Sequence, residues 1–82
     1  MGMSPETAVS RILTEDILTI TDARKEIASI TGQRPDLSTM TRWIHRGVGG
    51  TKLEAIRIGR QLITSRQAIT RFIKERTARS IG

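Results

Sequence analysis

The sequence predicts a mainly α-helical domain carrying one small β-hairpin, and three observations predict it. Apolar residues recur at helical spacing in four separate stretches, each opened by a residue that caps helices well. After Leu53 that period gives way to two short runs rich in branched residues, divided by Gly59-Arg60. The chain has 82 residues, 37% of them hydrophobic, which makes one thin-cored domain and no more.

Taken in order, Met1-Gly2-Met3 is set aside as a start region. Ser4 is the expected N-cap and Pro5 the first residue of a short helix to about Leu13, with Val9, Ile12 and Leu13 on one side. Nothing in the sequence names a neighbour for that apolar side, so residues 1–17 are an N-terminal segment. Thr21 caps the next helix, in which Ala23, Ile27 and Ile30 form a single stripe; Asp22 complements the helix dipole and Gly32 ends it. Pro35 holds Arg34 extended, so residues 32–35 are a turn.

Asp36 or Ser38 caps a third helix, whose apolar side is Leu37, Met40, Trp43 and Ile44 and which stops at Gly47. Residues 53–58 and 61–64 then read as the strands of a hairpin. Gly first in its two-residue loop is the signature of a type II′ turn, with Ile56 and Ile58 facing the core and Arg57 outside. Ser65 caps a last helix in which Ala68, Ile69, Phe72 and Ile73 point inward, while Arg66, Arg71, Lys74, Arg76 and Arg79 lie off that stripe. Residues 77–82 are expected as a frayed tail, leaving 18–76 as the domain.

The order is helix, helix, turn, helix, hairpin, helix. Two helices joined by a short Gly-containing turn make a helix-turn-helix, and a hairpin directly after the second is a wing. The predicted architecture is therefore a winged helix-turn-helix.

The charge pattern points to a partner. Fourteen Lys and Arg stand against eight Asp and Glu, a net charge of +6. Residues 1–33 carry three basic and five acidic side chains, whereas residues 34–82 carry eleven basic and three acidic ones. A face of that density attracts a polyanion at long range. Arginine outnumbers lysine eleven to three, which favours forked recognition of phosphates and base edges. Membrane-surface helices pair their cations with large apolar and aromatic residues, and here there is one Trp and one Phe, so no membrane partner is expected.

Other classes are excluded on composition. There is no cysteine, hence no disulfide framework or thiolate metal site, and the composition suits a reducing, cytoplasmic compartment. No apolar run exceeds two residues, too short for a transmembrane span or a signal-peptide core. His45 is the lone histidine, without partners for a metal site. No serine has a base at a spacing that suggests nucleophilic catalysis, so neither an enzyme nor a cofactor is expected.

From Leu18 to Ile73 the chain resembles the MerR-like winged helix-turn-helix domains, in particular the small excisionase-type DNA-binding proteins. The resemblance rests on Leu18-Thr19-Ile20-Thr21-Asp22-Ala23, on Ser38-Thr39-Met40-Thr41-Arg42-Trp43-Ile44-His45-Arg46-Gly47, on Ala55-Ile56-Arg57-Ile58-Gly59-Arg60, and on Ala68-Ile69 with Phe72-Ile73. The turn at residues 31–35 is longer than the family's usual form, and residues 49–52 are added before the wing. The long dimerisation helix of full transcriptional regulators is missing, which favours the excisionase-like subset.

The resemblance implies sequence-biased binding of double-stranded DNA, in recombination or transcription regulation. The second helix of the motif would enter the major groove, with Ser38, Thr39 and Thr41 near base edges, Arg42 forked onto guanine, and His45 and Arg46 near the backbone. Helix-start N–H groups near Ser38 are a further expected phosphate seat. Arg57 and Arg60 on the wing, with Lys52 nearby, would grip a backbone or a minor groove. So small a domain is expected to work as a homodimer or a cooperative array, with residues 4–17 as the contact. The rival reading is a protein-interaction module with a merely solvated basic face.

Overall fold

A computed structural model describes residues 5–81 of the chain. Seven elements follow one another: α1 (Pro5–Leu13), β1 (Ile17–Thr19), α2 (Ile20–Thr31), α3 (Leu37–His45), β2 (Ile56–Ile58), β3 (Gln61–Ser65) and α4 (Arg66–Ile81). The fold is mainly helical, with one antiparallel sheet ordered β1-β3-β2. The expected cap at Ser4 lies outside the described residues.

The sheet has three strands where two were expected. Residues 17–19 pair with β3, Ile17 opposite Ser65 and Thr19 opposite Ile63. Their partner lies more than forty residues away, so no local pattern announces this strand. It also shifts the start of α2: Thr19 rather than Thr21 is the N-cap, its hydroxyl accepting the Asp22 N–H at 3.2 Å. Gly32 ends α2 as expected, its N–H donating to the Ala28 carbonyl. The hairpin forms with Ile58 opposite Gln61 across Gly59-Arg60. Gly59 has φ +62°, and no non-glycine among the described residues has positive φ, the combination a type II′ turn needs. Its first strand is shorter than expected, residues 53–55 lying outside β2.

Ile12, Ala23, Ile27, Met40, Leu53, Ile56, Ile63, Ala68, Ile69 and Phe72 form the core. Ile12 is fully buried, which gives α1 the neighbour that the sequence could not name. Three apolar residues expected in the core are instead exposed: Ile30 at 49%, Leu37 at 59% and Ile58 at 55%. Each sits at an end of its element, where the correct face still runs past the edge of a core this small. The last helix continues beyond Thr77 to Ile81.

One side of the domain is tied together by charge. Arg71 donates two hydrogen bonds to Glu15, at 2.6 and 3.1 Å, and a third from Nε to Glu54 at 3.0 Å. Arg11 reaches the same Glu54 oxygen at 3.5 Å. The Ser65 hydroxyl donates to Glu15 at 2.7 Å and accepts the Ala68 N–H at 2.9 Å, capping α4 as the sequence suggested. The Arg71 guanidinium holds the Glu15 carboxyl below the usual carboxylate range, with Ser65 assisting against the cost of burial. Arg71 is held above its own ordinary value, chiefly by its hydrogen bonds to Glu15.

Candidate nucleic-acid interface

The candidate surface is built on α3. Asp36 caps it, its carboxylate accepting the Thr39 N–H at 2.8 Å, and this bond lowers the Asp36 pKa below the ordinary value. The helix is anchored on its inner side by Met40, which is fully buried, and by half-buried Trp43 and Ile44. Trp43 packs on Phe72 with ring centroids 5.2 Å apart, and the Arg76 guanidinium lies over both rings. With those residues inward, Ser38, Thr41, Arg42, His45 and Arg46 fall at i, i+3, i+4, i+7 and i+8 on the opposite side. All five are exposed and, with Leu37, they line one open groove. The Thr41 hydroxyl donates to the Leu37 carbonyl at 2.9 Å, which leaves its lone pairs outward as acceptors.

Thr39 is not part of this face. It is half-buried and borders a different groove, with Gln33, Arg34, Trp43 and Arg76. The phosphate seat expected at the start of α3 is also altered. The Asp36 carboxylate occupies the Thr39 N–H and sets a negative charge at that helix end, where a phosphate would be repelled.

The hairpin supplies the second part. Arg57 and Arg60 are exposed and line a cleft with Thr19, Ile20, Thr21, Leu37, Gln61 and Leu62. Leu37 therefore borders both the α3 groove and the hairpin cleft, and joins them into one surface.

Lys52 stands at the other end of α3. The chain leaves the helix through Gly47, whose N–H donates to the Arg42 carbonyl at 2.9 Å. Gly47 has φ +78°, and a Cβ there would collide with the Thr51 carbonyl oxygen and the Lys52 side chain. Only glycine allows this close return. Val48 and Thr51 then exchange backbone hydrogen bonds of 2.8 and 3.0 Å. Leu53 donates its N–H to the Trp43 carbonyl at 3.0 Å, fixing the segment along α3. Lys52 is exposed beside the helix end.

Carboxylates are concentrated elsewhere. Glu15 and Glu54 bind Arg71, Glu54 also meets Arg11, and Glu26 lies 3.3 Å from Arg66. Arg24 donates to the Pro35 carbonyl at 2.7 Å and clamps the turn between α2 and α3. These structural roles escaped the sequence, because each partner except Pro35 is supplied by a distant part of the chain. Among the described residues, no carboxylate comes within ion-pair distance of Arg42, Arg46, Lys52, Arg57 or Arg60. Among them, too, no three His, Asp or Glu side chains gather to hold a metal, and no helix is long and apolar enough to cross a membrane.

Residues 23–77, about two thirds of the chain, match the family described as "Protein of unknown function (DUF1580)". No curated protein and no solved structure matches the chain.

Proposed function

The chain belongs to the DUF1580 family, and we propose that it is a winged helix-turn-helix protein that binds double-stranded DNA with sequence bias. The α3 helix enters the major groove, and the Arg57–Arg60 hairpin grips the adjacent backbone or minor groove. One observation carries this reading. Among the described residues Arg42, Arg46, Lys52, Arg57 and Arg60, on α3, its exit loop and the hairpin, have no carboxylate within ion-pair distance, the Asp36 cap acting on Arg42 only from further off, and Leu37 borders both the α3 groove and the hairpin cleft.

The order α2, turn, α3, hairpin supports the winged form. The aromatics favour a duplex over a single strand: Trp43 and Phe72 pack on one another under Arg76, away from the α3 groove, so neither the indole nor the phenyl ring is offered there for stacking bases. The role is that of an excisionase-like architectural factor or a small transcriptional regulator in the cytoplasm, with no catalytic step. Val9 and Leu13, exposed i, i+4 neighbours on α1, supply a contact for homodimers or cooperative arrays.

Selection from a randomised duplex pool tests the proposal. A preferred site is expected, with methylation of one guanine N7 in the major groove blocking the wild-type chain but not Arg42→Ala. Retention of single-stranded RNA in preference to duplex DNA, or of neither, contradicts it.

A further inference from the structure

We infer that Leu37 is a specificity-determining residue that reads the 5-methyl group of a thymine in the major groove, an inference that rests on the DNA-binding proposal above. Leu37 is the first residue of α3 and is 59% exposed, more than any other large apolar side chain among the described residues. The core does not hold it: Leu37 lies on the apolar side of α3 with Met40 and Ile44, but at the first residue of the helix that side runs past the edge of the core. Its surroundings are polar and charged, with the Asp36 carboxylate capping the helix just before it. On one side lie Ser38, Thr41 and Arg42, on the other Arg57 and Arg60.

An exposed leucine at the meeting point of the two grooves forfeits the free energy of burying its apolar side chain. Burial against an apolar atom of the ligand restores it. Duplex DNA presents one such group on base edges, the thymine C5 methyl, and presents it in the major groove, where helix N-terminal residues meet base edges. Arg42 lies further along the same groove, so the chemistry expected at the site is an A·T pair close to a guanine.

The test replaces one thymidine at a time by deoxyuridine in the duplex selected with the full wild-type chain. This removes only the methyl group and leaves the protein unaltered. At one position affinity is expected to fall about four-fold, the worth of one buried methyl. Leu37→Ala is expected to bind the thymidine and deoxyuridine duplexes equally, with the wild-type salt dependence. If wild-type affinity is indifferent to every such replacement, or the selected site holds no preferred A·T pair, Leu37 has no such role although DNA binding stands. A Leu37→Ala chain that still discriminates four-fold overturns the assignment to this residue. Failure to bind any duplex removes both claims together.

Discussion

Arg42 and Arg57 are both exposed and form no ion pair among the described residues, yet the proposed binding mode gives them different kinds of contact. Arg42 projects from the middle of α3, where a guanidinium can fork onto the N7 and O6 of guanine. Arg57 stands on a strand beside the cleft, where phosphate is the nearer partner. Arg42→Ala is therefore expected to relax preference at one base pair, at a cost of about 1–3 kcal/mol for the preferred site. Arg57→Ala should weaken binding to all sequences alike and lower the salt slope by about 1. Footprints of both variants beside the wild type decide this. An Arg42→Ala chain with unchanged preference would mean that α3 is not the reading helix. Most of this face was legible in the sequence, because Ser38, Thr41, Arg42, His45 and Arg46 follow directly from which side of α3 is apolar. Thr39 was not, since it lies at the border of that stripe and its side is settled by the turn at residues 33–35.

Arg71 illustrates what a local pattern leaves out. It lies off the apolar stripe of α4, and its spacing alone suggests a solvated cation. Its partners, Glu15 and Glu54, come from two other parts of the chain. Arg71→Ala would leave Glu15, only 14% exposed, without its strongest donor, and should destabilise the fold by about 1–3 kcal/mol. The sign of the pH dependence follows from the lowered Glu15 pKa. Folding holds Glu15 ionised below the range of the unfolded chain, so the pair's contribution is complete above that range and is lost as pH falls through the folded value. Thermal unfolding should show Tm falling on acidification in the wild type, and falling less in Arg71→Ala. Equal slopes in the two proteins would refute the pairing.

At the scale of elements, the caps and turns were largely readable and the sheet was not. Gly32, Gly59 and Ser65 end or begin their elements where the sequence suggests. β1 has only three residues and depends on pairing with Ile63–Ser65; Ile17 and Thr19 are strand formers, but a run so short does not announce a strand by itself. Ile30, Leu37 and Ile58 share one cause: periodicity tells which side of an element is apolar, but not how far the core extends along it. Two substitutions probe the elements that position the interface. Gly47→Ala should cost about 2 kcal/mol, from left-handed backbone combined with the clash on the Thr51 carbonyl. Since it also displaces Lys52 from the end of α3, duplex affinity should fall with it. Ser65→Ala removes the α4 cap, costing about 1–2 kcal/mol, without weakening DNA binding by the folded protein. Denaturant midpoints, read beside duplex affinities at a temperature where all variants are folded, separate these outcomes.

At the scale of the whole molecule, the separation of charge seen along the chain becomes a separation in space. Glu15, Glu26 and Glu54 engage arginines of α1 and α4, and among the described residues the cations of α3, its exit loop and the hairpin form no ion pair. On the proposed binding mode such a domain would bind a polyanion by releasing its counterions, and the strength of that effect would count the phosphates engaged. The most direct measurement is the affinity of the full chain for a duplex over a range of salt concentrations. Four phosphate contacts, one for each of Arg46, Lys52, Arg57 and Arg60, give a log–log slope of about −3.6. A flat response would contradict the account and favour a protein-binding role for the same face.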